Sequence, residues 1–230
     1  MSLMKQRRTK RVPLDTKGGM EEHIRDAAIA LVGKEGSQAL SLRALAPTAG
    51  VTFTAPQYHF GSIVGLLGAV AAKGFDDLGK QISIARSAQT PNSSECLSAA
   101  RAHARFGLEE AQLYQAMHDP RLWQYDRDAA RGSSAKEKEG SWFKKAEAAR
   151  NDAFRKYESA VIVDQNRGLV TKDAAHQDIA HLIALLVDGY IFQVSQERVN
   201  ADATLEQHLQ FVSKLLDIAM HGLAATNPPV

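Results

Sequence analysis

A chain of 230 residues with 44% hydrophobic side chains is long enough to bury a substantial core, and a formal net charge of +2 makes it neither polybasic nor acidic overall. Its single cysteine, Cys96, excludes an internal disulfide framework and fits a reducing compartment. The longest apolar runs, such as LIALLV at 182–187, fall short of the ~20 residues of a bilayer span, and no signal-peptide pattern precedes the fold, so a cytoplasmic protein with no membrane partner is expected.

The near-neutral total conceals a basic start. Residues 1–17 read as a flexible arm in which Lys5, Arg7, Arg8, Lys10, Arg11 and Lys17 face only Asp15. Such an arm follows a phosphate backbone or enters a minor groove, or is simply a solvated tail. A first helix follows, with Ile24, Ala27, Ala28, Leu31 and Val32 at helical spacing and Gly33 to Gly36 closing it.

Next comes SLRALAPTAGVTFTAPQYHFGS, residues 41–62. Ser41 is a good N-cap, and Leu42, Leu45 and Ala46 give a short helix its buried side. Pro47 clashes with the carbonyl of Arg43 if that helix continues, so an end or kink is expected there. Ala49-Gly50-Val51 makes a tight corner, Gly50 supplying a backbone conformation that a side chain resists. Thr52 is expected to cap a second short helix running to about Tyr58, with Pro56 within or just after its first turn, where N–H groups lack helical partners anyway. Two short helices crossing over a small turn form a helix-turn-helix, whose second member fits a major groove. Neither is stable alone; both depend on packing against their neighbours.

The fourth helix is expected over 62–79, with Leu66, Leu67, Val70, Ala71, Phe75 and Leu78 on one face. Gly65, Gly68, Gly74 and Gly79 make it a weak helix former, which suits either a movable lever or close packing. A turn-rich break at 87–95 precedes a helix around 94–117, a shorter piece near 119–130 and a polar joint at 132–141. A long charged helix spans roughly 142–166, with Trp142, Ala146, Ala149, Ala153, Tyr157 and Ala160 forming a narrow stripe, and Asn166-Arg167-Gly168 ends it. Helices at about 171–197 and 203–224 finish the chain. Their apolar stripes are wide enough either to close the monomer core or to pair with a second copy as a four-helix bundle. No strand pattern of useful length appears. The expected fold is all-α: a helix-turn-helix DNA-binding domain (18–63) behind the arm, joined by a long helix to a larger helical regulatory and dimerisation domain (64–230).

Aromatic side chains concentrate in that larger domain, where they serve packing as readily as a pocket. Polar residues inside apolar helices are better markers: His103 beside Phe106, His118 after Met117, and Asp188 within LLVDGYIF. A buried Asp188 needs a partner from a ligand, a neighbouring helix or a second subunit. The candidate ligand-binding residues are His103, Phe106, Met117, Trp123, Tyr125, Phe154 and Asp188, for a small, largely hydrophobic or aromatic effector. Catalysis finds little support. His176 and His181 leave a common helix face, and Asp178 with His181 supplies two ligands where a metal takes three or four. Gly-rich phosphate loops and nucleophile elbows are absent from the sequence, so no enzyme activity, metal or cofactor is expected.

The run LSLRALAPTAGVT…YHFGS on an all-helical chain of this length resembles the TetR family of bacterial transcriptional regulators, closely over 20–70 and more loosely beyond. There, ARFGLEEAQLYQAMHDPRL and IALLVDGYIFQ are similar to parts of that family's regulatory domain. The resemblance implies a homodimeric repressor on a palindromic double-stranded DNA operator, released when an effector enters the C-terminal domain. It implies that Thr52, Phe53, Thr54, Ala55 and Gln57 lie on the recognition helix and that Tyr58 and His59 contact phosphates. Ser41 and Arg43 match the motif's first helix, resting on the duplex backbone, and Phe60 matches the core plug behind the recognition helix. Chemically, Gln57 can pair with an adenine edge, while the Thr54 and Ala55 methyls can meet a thymine methyl. Three departures stand out: Ile63 follows Ser62 where many relatives carry lysine, Gln57 stands where many carry tyrosine, and Pro47 sits after Ala46 in the motif's first helix. The rival reading is a helical dimeric ligand-binding protein with degenerate DNA affinity.

Overall fold

The computed structural model describes residues 17–88, 90, 93–124 and 137–222, so residues 1–16 of the expected arm and Tyr125 lie outside it. The described residues form helices and turns with no strand. In chain order the helices are α1 (Lys17–Glu35), α2 (Leu42–Thr48), α3 (Ala55–Phe60), α4 (Ile63–Ser87), α5 (Glu95–Glu109), α6 (Ala111–Met117), α7 (Pro120–Trp123), α8 (Glu137–Asn166), α9 (His176–Ser195) and α10 (Leu205–Gly222).

The head is built from α1 to α3. Ile24, Ala28 and Val32 on α1 bury their side chains with Leu40, Leu45 and Phe60. Ser41 caps α2, its hydroxyl accepting from the Ala44 N–H at 3.1 Å. The helix runs through Pro47 to Thr48 rather than ending at Ala46. Proline forfeits one helical bond, but the chain end is exposed, and the Thr48 hydroxyl donates to the Ala44 carbonyl at 3.2 Å while the Ala49 N–H reaches the Leu45 carbonyl at 2.8 Å. Gly50 takes φ 63°, the left-handed corner that its position requires. α3 starts two residues later than a Thr52 cap predicts. Thr54 holds the cap position without a side-chain bond, and Pro56 falls in the first turn.

The body is organised around α4 packed on α8. Ser62 caps α4 by accepting from the Val64 and Gly65 N–H groups, and the helix extends past the expected 79 to Ser87. Its buried side meets the stripe of α8, where Ala146, Ala149, Ala153, Tyr157 and Ala160 are all buried as the spacing predicts. α8 starts inside the expected polar joint at 132–141.

The single helix expected at 94–117 is two. Glu110 leaves helical geometry (φ −111°, ψ 41°), and α6 turns to bury Leu113, Ala116 and Met117 against α1 and α4. Asp164, fully buried near the end of α8, accepts from the Ser94 hydroxyl at 2.7 Å and from the Glu95 and Cys96 N–H groups at 3.0 and 2.9 Å. That carboxylate pins the start of α5 to the long helix, and burial beside it pushes the Cys96 thiol far up, which keeps it inert. The head is tied down by Arg121, which pairs with the buried Asp119 and donates to the Ser37 carbonyl at 2.9 Å. α9 is long and apolar enough by composition to cross a membrane, but Ile179, Ile183, Val187 and Ile191 pack inside the protein. α10 lies against α5 and α9, where Tyr190 and His208 bond at 2.7 Å.

Candidate nucleic-acid interface and internal cavity

α2 and α3 together present one outward face. Ser41 and Arg43 of α2 are exposed, as are Thr52, Phe53, Thr54, Gln57 and Tyr58, while Ala55 is half-buried. Phe53 is 62% exposed, and the Arg43 guanidinium lies 6.0 Å from its ring centre. Phe60 on the opposite side is fully buried, so the helix that shows Gln57 and Tyr58 outward is anchored from behind.

His59 departs from the expected phosphate contact. It is only 9% exposed, its Nδ1 has no hydrogen-bond partner, and that atom stands 3.6 Å from the Glu21 carboxylate of α1. The reason is rotational: Tyr58 points out of a short helix, and the next residue, about 100° further round, points in. The α4 N-terminus is also less open to an anion than its missing lysine leaves expected, because the Ser62 hydroxyl already takes two of its N–H groups, at 3.1 and 3.4 Å.

A second feature is a partly open cavity of about 290 Å³ among α4, α5, α6, α8 and α9. Of the residues expected to bind a ligand, His103, Phe154 and Asp188 line it. Three others among the described residues, Phe106, Met117 and Trp123, pack elsewhere. Met117 is fully buried against Gly74, Phe106 packs against the Tyr114 ring, and Trp123 donates to the Met117 carbonyl at 2.8 Å. Tyr114, Tyr157, Phe75, Arg150, Asn151 and His181 also line it without having been singled out as ligand-binding residues in the sequence, as does His118, which the sequence marked as a polar residue in an apolar helix.

The polar centre is a directed chain. Tyr114 donates its hydroxyl to Asp188 Oδ1, so its oxygen accepts from His103 Nε2 at 2.7 Å. With Nε2 carrying the proton, His103 Nδ1 accepts from the Tyr157 hydroxyl at 2.9 Å. Asp188 thus finds its partners on neighbouring helices, as a polar interruption of an apolar helix requires. Burial alone pushes the Asp188 carboxyl up, but the His103 ring and the Tyr114 hydroxyl outweigh it and hold the group below the usual carboxylate range. Burial, reinforced by the Asp188 charge, drives both tyrosines well up. Burial also lowers His118, whose Nδ1 donates to the Tyr114 carbonyl at 2.9 Å, so its Nε2 is an acceptor without a partner among the described residues.

Cavity and head share one rigid element. α8 carries Phe154 and Tyr157 at the cavity, and Trp142 in its N-terminal part touches α3.

No protein-family model matches the chain, and no curated protein matches it. Solved structures do. A protein of unknown function from Rhodococcus sp. RHA1 superposes with a TM-score of 0.67 at 21% identity, covering 90% of this chain and 98% of its own. The TetR family transcriptional regulator PfmR from Thermus thermophilus gives 0.60 at 17% identity, covering 87% and 98%. The MbdR regulator from Azoarcus sp. CIB gives 0.60 at 16% identity, covering 85% and 95%. The chain has the all-helical fold of the TetR-family transcriptional regulators.

Proposed function

We propose that this protein is a cytoplasmic transcriptional repressor that binds a palindromic double-stranded DNA operator as a homodimer and is released by a small effector. The observation that carries the reading is the α2–α3 face: a rigidly backed helix displays Thr54, Gln57 and Tyr58 to solvent beside Arg43. Gln57 and the Thr54 methyl suit base edges in a major groove, while Arg43, Ser41 and Tyr58 suit phosphates.

Dimer formation is supported by apolar side chains that the protomer leaves uncovered on its last two helices. Leu185 of α9 is 68% exposed and Ile218 of α10 is 67% exposed, with Leu182 and Phe211 beside them on the same faces. Pairing these faces across a two-fold axis makes a four-helix bundle and sets two heads at a fixed spacing. The cavity takes the effector, and α8 with α4 carries its presence to the head by favouring a dimer whose recognition helices no longer match one DNA turn. The polar groups of the cavity suit binding rather than catalysis, so no enzymatic role is proposed.

The buried His59 and the Ser62-capped α4 remove phosphate contacts, which favours the rival reading of a dimeric ligand-binding protein with weak DNA affinity. Fluorescence anisotropy on the DNA upstream of the gene separates the two. A repressor binds it at least about 10³-fold tighter than scrambled DNA at physiological salt, and a degenerate relative binds both alike.

A further inference from the structure

The cavity leaves one acidic oxygen without a partner among the described residues. Asp188 lines the cavity; its Oδ1 is engaged by Tyr114 and lies 3.2 Å from His103 Nε2, whereas Oδ2 meets no donor among the described residues. Of the other polar side chains in the lining, His118 offers an acceptor as well, and Asn151 is exposed to solvent. His118 spends its N–H on the Tyr114 carbonyl, which leaves its Nε2 as an acceptor, and His181 Nδ1 lies 2.8 Å from the Gln177 carbonyl. Aromatic rings surround this set, among them Phe75, Tyr157 and Phe154, which lies 4.3 Å from His181. Among the described residues the one lysine or arginine in the lining, Arg150, is exposed and places its guanidinium over the Trp123 ring at 4.8 Å.

Such a site asks for donors and positive charge. A carboxylate with a free oxygen gains most from a charge-assisted donor, and ring faces add attraction for a cation. An anion meets the Asp188 charge with no fixed cation committed to it, and a neutral hydroxyl brings one donor where an ammonium brings three. The volume of about 290 Å³ stands at the small end of ligand pockets, enough for one ring system with a short side chain and too little for a long acyl chain. Resting on the regulator reading above, we infer that the effector is a small arylalkyl amine, its ammonium seated on Asp188 Oδ2 and its ring among Phe75, Phe154 and Tyr157.

Isothermal titration calorimetry of the full chain at neutral pH with phenethylammonium, 2-phenylethanol and phenylacetate tests this at constant ring and varied charge. The ammonium binds about tenfold or more tighter than the alcohol, and phenylacetate binds weakest. Asp188→Asn abolishes the ammonium preference while the alcohol still binds. Should that variant fail to fold, Ala184→Lys, which places a competing cation on the cavity wall, weakens the ammonium and strengthens phenylacetate. Equal affinity for ammonium and alcohol, preference for phenylacetate, no binding of any probe, or a preference that survives Asp188→Asn overturns the inference. DNA binding by the ligand-free protein is measured separately. Its loss removes the regulator reading and leaves the cation preference standing, and the converse result does the reverse.

Discussion

The indole ring of Trp142 lies 5.4 Å from the ring of Phe60, and its N–H donates to the His59 carbonyl at 3.4 Å. One end of α8 therefore grips the recognition helix. Phe154, twelve positions on in the same helix, lines the cavity about 18 Å away at helical rise. Trp142→Ala is expected to lower stability by about 2–3 kcal/mol, less than a fully buried tryptophan because the ring is half-exposed. It also reduces the effector's power to release DNA more than it reduces DNA binding itself. Trp142→Phe restores most of the coupling. Chemical denaturation and an effector-dependent DNA release assay read the two effects.

Gly68 of α4 faces the same tryptophan's backbone. A Cβ added there stands 3.0 Å from the Trp142 carbonyl carbon and oxygen, and a main chain does not swing aside as a side chain does. Gly68→Ala therefore destabilises by about 1–3 kcal/mol, overriding the helix-propensity gain of about 1 kcal/mol that alanine brings. Gly107→Ala meets the Ile191 Cδ1 atom at 2.5 Å, the end of a side chain that can rotate, and costs less. Thermal denaturation of the two variants orders them. Of the two readings the glycines of α4 allow in the sequence, close packing is the one the geometry supplies a contact for.

Asp119 gives the pH dependence a definite sign. Burial pushes its carboxyl up, but the Arg121 guanidinium and amide more than reverse this and hold it below the usual range. A depressed folded pKa contributes stability that is fully present above the unfolded value of about 4 and is lost as pH falls through the folded value. Asp119→Asn is expected to cost about 2 kcal/mol at pH 7 and to flatten the stability profile below about pH 4. Urea denaturation at a series of pH values checks both.

The head was largely legible because its signals are local. Ser41 caps, Gly50 turns at positive φ and Phe60 plugs, each dictated by the residue at that position. Boundaries set by distant partners were not legible. Nothing at Glu110 marks a break; α6 departs there because burial against α1 and α4 outweighs helical continuity. His59 turns inward against Glu21, a residue on another helix that its own neighbours cannot reveal. Asp188 announced itself as a charge in an apolar run. Tyr114 and Tyr157 did not, since tyrosine at helical spacing looks like packing until the fold joins residues 103, 114, 157 and 188.

On the DNA face, Gln57 and Arg43 are expected to fail differently. Gln57→Ala relaxes preference at one base pair of each half-site, costing about 1–3 kcal/mol on the correct sequence only. Arg43→Ala weakens all sequences alike and lowers the salt slope by about one per site. Anisotropy titrations at several salt concentrations, on operator and mutated operator, distinguish the two.

Footprinting the purified protein on the DNA upstream of its gene tests the central claim most directly. The account predicts two protected half-sites related by a two-fold axis, their centres one helical turn or about 10 base pairs apart or a multiple of that, and protection lost when effector is added. Uniform protection with no preferred position, fading at physiological salt and indifferent to Gln57→Ala, would contradict it.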